Sequence, residues 1–147
     1  MTELFGKKIS EQLGKKWKIE KDSDISFLVD KKEDVSKIQL RHFLKEAESR
    51  ITGEEKLKRH NGSYQFCLDI KDCEHLYMNQ ALIPKRWKER IDGNATFVFF
   101  DKTLISSKKV WYILGLCWNN YLEQHSLCYH SLGTHLTKNC LSALILP

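Results

Sequence analysis

The chain has 147 residues, of which 41% are hydrophobic and 29% charged, enough for one compact domain and outside the range of a disordered polypeptide. A net charge of +5, with 19 acidic residues interspersed among 24 basic ones, leans toward an acidic partner but lacks the segregated positive field that would favour nucleic acid. The longest apolar runs, VWYILGLCW (110–118) and LSALIL (141–146), are far shorter than the ~20 residues of a spanning helix.

Along the chain, Thr2 is placed to cap a first helix carrying Phe5, Ile9 and Leu13 on one side. The alternation in DISFLVD (24–30) predicts a strand. Leu40, Phe43, Leu44, Ala47 and Ile51 recur at helical spacing and predict a helix that Gly53 ends, with Glu46 and Arg50 paired on its outer face. EEKLKRHNGS (54–63) is polar and reads as a loop, SYQFCLDI (63–70) as a strand. Asp72 is positioned to cap a helix from Cys73 toward Ile83, which Pro84 interrupts before a short helical turn carrying Trp87 and Ile91.

In the last third, ATFVFF (95–100) and KVWYILGLCW (109–118) predict two strands. The second is apolar on both faces and belongs in the middle of a sheet covered on both sides, or with one face at a subunit interface. LEQHSLCYHSL (122–132) is its expected antiparallel partner, and the tail from Thr137 is either a short helix or a final strand. The fold class expected is α+β: a mostly antiparallel sheet of four to six strands with two to four helices, in a single domain over 1–147.

Residues 15–29 and 85–99 match in five of fifteen positions, at Lys15, Trp17, Lys18, Asp22 and Phe27, which raises a weak duplication of a helix–strand unit, 2–30 and 72–101. The clusters Lys15, Lys16, Trp17, Lys18 and Lys85, Arg86, Trp87, Lys88 combine cations with an aromatic ring, as phosphate neutralisation and base stacking require. The plainer expectation is that each Trp anchors a junction in the core while the lysines lay their stems over its edge.

Five cysteines without a Cys-x-x-Cys pair read as reduced thiols. Cys128 and His130, two apart on a strand, share a face, and Cys73 with His75 supplies a second Cys-x-His pair, so these four are the alternative zinc set. A helical Cys73/His75 pair points apart, which argues against it. FVFFDKTLI superficially resembles the aspartate loop of haloacid-dehalogenase phosphatases, but Phe99 occupies the nucleophile position and cannot attack phosphorus.

With no cofactor motif, the expectation is a small soluble cytoplasmic binding protein without catalytic activity, whose partner is another protein or a second copy of itself. Its surface is expected on the aromatic C-terminal β region, at Trp111, Trp118, Tyr121 and Tyr129. The alternatives are a nucleic-acid-binding protein using the Lys/Trp clusters, and a zinc- or thiol-dependent enzyme centred on 125–135. No membrane association is expected.

Overall fold

The computed structural model of the chain describes residues 18–21, 28–32, 34–61, 66–68, 70–107 and 109–145. The strands are β1 (Lys18–Lys21), β2 (Ile38–Arg41), β3 (Ile51–Thr52), β4 (Phe66–Cys67), β5 (Phe97–Ser107), β6 (Val110–Asn119), β7 (Gln124–Ser131), β8 (His135–Leu136) and β9 (Cys140–Ile145). Among the described residues two α-helices, α1 (Gly53–Asn61) and α2 (Ile70–Met78), join them, with 3-10 turns at Val35–Lys37, Gln80–Leu82 and Lys85–Lys88. One sheet runs β2-β9-β5-β6-β7, with β1 pairing β5 and β4 pairing β9 off that path; β3 and β8 form a separate ribbon. Among the described strands, only the β5–β9 contact is parallel. The α+β expectation, with its mostly antiparallel sheet, holds.

Alternation along the central strands sends side chains to two separate cores. Val98 and Phe100 of β5, Leu114 and Leu116 of β6, and Ala143 and Ile145 of β9 pack beneath Cys73, Leu76 and Tyr77 of α2, together with Ile83 and Trp87. Phe99, Ile113 and Cys140 point the other way, onto Leu57 of α1 and onto Leu132 and Leu136. Leu144 extends that face to Phe43 and Ile51. Strand β6 is therefore central, as expected, and this chain covers it on both sides.

Strand β5 changes neighbours midway. Phe97 to Phe99 pair with Cys140 to Ser142 of β9, whereas Leu104 to Ser106 pair with β1. The switch falls at an irregularity against β6, where Phe99 faces Gly115 and Leu104 faces Ile113. Bulges of this kind bend a strand away from its partner. Gly115 is required there: a Cβ would lie 2.5 Å from the Val98 carbonyl oxygen and 2.8 Å from the Phe99 ring.

Two expectations in the middle of the chain are overturned. Residues 40–51 form no helix. Ile38 to Arg41 extend as β2 against β9, and Phe43 sits at φ 63°, a left-handed conformation no helix accommodates. Residues 54–61, expected as a loop, are helix α1. Thr52 Oγ1 accepts from the Glu55 N–H, and the Gly53 and Glu54 N–H groups donate to the carbonyls of Thr134 and Leu132. Glu54 and Glu55 in the first turn and Lys58, Arg59 and His60 in the last complement the helix dipole. The inner face of α1 is Gly53, Lys56, Leu57 and His60, a helical spacing occupied mostly by residues that no hydrophobicity pattern marks.

The expected pairing of Glu46 with Arg50 is replaced by one that ties 42–50 to α1. Arg59 takes both oxygens of Glu48 at 2.6 and 2.8 Å, bonds Glu55 at 2.9 Å and donates to the Phe43 carbonyl at 2.7 Å. These hydrogen bonds hold the Glu48 carboxyl down at about 2.

The expected helix over Thr2–Leu13 and the Asp24–Phe27 part of the expected strand lie outside the described residues. Leu28–Asp30 form a turn, and Ile70 already begins α2. Asp72 lies inside α2 instead of capping it, and its Oδ1 accepts from the Leu28 N–H at 2.9 Å. In the echoed segments, Lys18–Lys21 are strand β1 whereas Lys88–Ile91 end a 3-10 turn and open an isolated bridge. Likewise Leu28–Asp30 turn whereas Val98–Phe100 run straight in β5.

Replacing Gly115 by Ala is expected to cost about 2 kcal/mol or more, because the new methyl meets backbone as well as a fixed ring. Urea unfolding monitored by tryptophan fluorescence measures it. A midpoint equal to that of the parent chain would show that β5 and β6 can separate to admit the methyl.

Candidate functional site

The residues singled out in the sequence do not converge. Cys73 is buried under α2 in the first core, whereas Cys128 packs against the second, so the sheet lies between the two Cys-x-His pairs. Among the described residues, no group of three His, Cys, Asp or Glu is placed to hold a metal ion. Cys128 is also the less acidic of two interacting thiols: its hydrogen bond with Cys117 and its burial push it well up, while the same bond lowers Cys117. A nucleophile needs the opposite shift. His130 is held against the rings of Phe97 and Phe99, at 5.1 and 5.2 Å, and burial lowers it.

Of the basic clusters, Lys15 to Trp17 lie outside the described residues, and Lys18 stands in β1 opposite Ser106. Trp87 is 1% exposed and cannot stack on a base. Arg86 donates to the Ile38 carbonyl at 2.7 Å. Lys88 carries its ammonium 4.1 Å over the Trp118 ring. The core-anchor expectation fits Trp87.

The four expected partner residues are spread along the β6–β7 hairpin. Trp111 is near one end of β6 and Tyr121, 98% exposed, is in the turn at the other, about 30 Å away at ordinary strand rise. Tyr129 packs edge-on to Tyr112 on the opposite face from Trp111. Trp118, half-buried, touches Lys88, His125 at 5.2 Å edge-on, and Asn120, whose Oδ1 accepts from its indole N–H at 2.8 Å.

His125 is the buried member of this group. Its backbone lies on the outer edge of β7, where the Gln80 carboxamide satisfies it twice: Oε1 accepts from its N–H at 2.8 Å and Nε2 donates to its carbonyl at 3.1 Å. One side chain thereby stands in for a neighbouring strand. Burial, with Lys88 nearby, lowers the imidazole to about 4 against the raising effect of its hydrogen bond with the Trp87 backbone.

Two neighbouring clefts lie beside the α2 end and the turns that follow it, and sequence reading missed them. A cleft of about 740 Å³ has apolar lining from Leu28, Val35, Ala81, Leu82 and Pro84 and polar lining from Ser36, His75, Asp34, Lys85 and Arg86. A second cleft, of about 390 Å³, is lined by Val29, Asp30, Lys71, Glu74, Met78 and Asn79, and again by His75. The imidazole of His75 therefore stands on the divide between them.

Local chemistry builds these walls. The Asp72 carboxylate fixes Leu28, and Asp34 caps the Val35–Lys37 turn by accepting from the Ser36 N–H at 2.9 Å. That bond also lowers the Asp34 carboxyl. After α2, Asn79 bonds back to the His75 carbonyl, and the Gln80–Leu82 turn buries Ile83 while leaving Ala81 and Leu82 outside. Pro84, with φ −57°, leads into the next turn and presents Lys85 and Arg86. Val29, Met78 and Leu82 are 46%, 40% and 44% exposed around the two clefts.

Compared with protein-family models, with curated proteins and with solved structures, the chain matches none. Among the described residues, no helix is long and apolar enough to cross a membrane.

Because His125 is neutral in the folded chain down to about 4 while an unfolded histidine titrates near 6.5, the unfolded state binds the additional proton across that window. Stability therefore falls as pH drops from about 6.5 to 4. His42 and His130, both lowered by burial, act in the same direction. Urea midpoints at pH 7 and pH 4.5 are expected to drop less in His125→Phe than in the parent chain; equal drops would remove His125 as a source of the dependence.

Proposed function

We propose that this chain is a non-catalytic binding module that receives a segment of another protein across the two clefts flanking His75. The observation that carries this reading is the grouping of Val29, Met78 and Leu82, three partly exposed aliphatic side chains, around two clefts that share one wall residue. Isolated apolar residues on a surface need no explanation, but apolar residues gathered at a concave site with a few polar groups are what a binding site requires. The module is taken to work in the reducing cytoplasm, in keeping with free thiols at Cys73, Cys117, Cys128 and Cys140.

The C-terminal β region supports a second reading, self-association along β7. Its eight residues include no Lys, Arg, Asp or Glu, and charge is the common means of keeping a sheet edge from pairing.

Panning a displayed peptide library against the folded chain tests the first reading. Selected peptides are expected to lose binding to a Met78→Asp, Leu82→Asp chain whose circular dichroism is unchanged. Peptides that bind parent and variant equally would move the site elsewhere, and a concentration-dependent mass in light scattering would favour β7.

A further inference from the structure

Resting on the reading of the clefts as a docking site, we infer that the segment they take carries one acidic side chain, seated against Lys85 and Arg86 and flanked by aliphatic residues. The charge distribution around the clefts carries this. In the larger cleft the cations are Lys85 and Arg86, both exposed, and the carboxylate is Asp34. Asp34 is already engaged by the Ser36 N–H within its own turn. Arg86 is held in place by one hydrogen bond from Nη2 to the Ile38 carbonyl, which leaves most of the guanidinium fork directed by a fixed stem. The larger cleft therefore has a positive end beside the apolar wall of Leu28, Val35 and Leu82.

Beyond His75 the balance changes. In the smaller cleft Asp30 lies 4.0 Å from Lys71, and Glu74 adds a second carboxylate beside the apolar Val29 and Met78. A second acidic group on the ligand would meet these carboxylates, whereas an aliphatic one would meet Val29 and Met78. Complementarity thus selects a single acid at one end and apolar side chains after it, with His75 between the two.

A nucleic acid fits these features poorly. Apart from the imidazole of His75, no ring among the described lining residues offers a stacking platform, and Asp30, Asp34 and Glu74 oppose a polyphosphate.

The test uses the full chain and fluorescein-labelled, capped peptides in which one Asp is flanked by randomised aliphatic residues, beside matched sets carrying Asn or Lys in its place. Anisotropy titration is expected to give binding of the Asp set that is about fivefold tighter than that of the Asn set and that weakens with added salt, as one exposed ion pair allows. In Lys85→Glu, which alters an exposed side chain, the order is expected to reverse, with the Lys set bound more tightly than the Asp set. Equal affinities for the Asp and Asn sets, lost together in Leu82→Asp, would overturn the acidic preference and leave the docking site standing. No binding of any set, with a labelled single-stranded oligonucleotide bound instead, would overturn both.

Discussion

Strand β6 and the Phe97–Phe100 half of β5 send apolar side chains to both faces, and a sheet built on them has to be covered twice. On one side the cover is conventional: α2 lays Cys73, Leu76 and Tyr77 over Val98, Phe100, Leu114 and Leu116, and Trp87 closes the margin. Each aliphatic side chain fully buried there contributes on the order of 2 kcal/mol. On the other side the cover, among the described residues, is assembled from the short helix α1, the β3–β8 ribbon and the segment around Phe43. The positions of these pieces follow from that need.

The second cover is fixed largely by polar contacts. Lys56, fully buried, donates from Nζ to the Cys140 carbonyl at 3.0 Å and lies 5.0 Å from the centre of the Phe99 ring. One turn on, His60 stacks on Phe43 at 4.9 Å. The helix start is tied to the carbonyls of Leu132 and Thr134, and a Cβ at Gly53 would come within 3.0 Å of the Leu132 backbone. A buried ammonium satisfied by a carbonyl and an aromatic face is directional where aliphatic packing is not, so it sets the register of α1 on the sheet.

What the sequence made legible divides along the same line. Strand β6 was readable because VWYILGLCW is apolar at both phases of a two-residue alternation and its middle, Ile113 to Leu116, is buried, whereas the tail, left open between helix and strand, is β9. The stripe at Leu40, Phe43, Leu44, Ala47 and Ile51 misled because its spacing is shared by residues that reach two different structures, a strand edge at Leu40 and a left-handed corner at Phe43. Helix α1 was hidden because its inward positions hold Lys56 and His60. The paired clefts were hidden for another reason: Leu28, Val35, His75, Leu82 and Lys85 come from separate elements, and nothing local to any of them signals a concavity. Trp118 is half-buried, with Lys88 over its ring and His125 edge-on to it, contacts that no local pattern signals.

The amide of Gln80 has a chemical consequence of its own. Only a carboxamide presents a donor and an acceptor side by side, as a peptide group does, and glutamine has one more methylene than asparagine with which to reach the strand. Hydrolysis of that amide would leave a carboxylate, which still accepts from the His125 N–H but repels its carbonyl. The outermost strand is thus held at its margin by a single side chain, and a carboxylate there would turn half of a strand-like pairing into a repulsion.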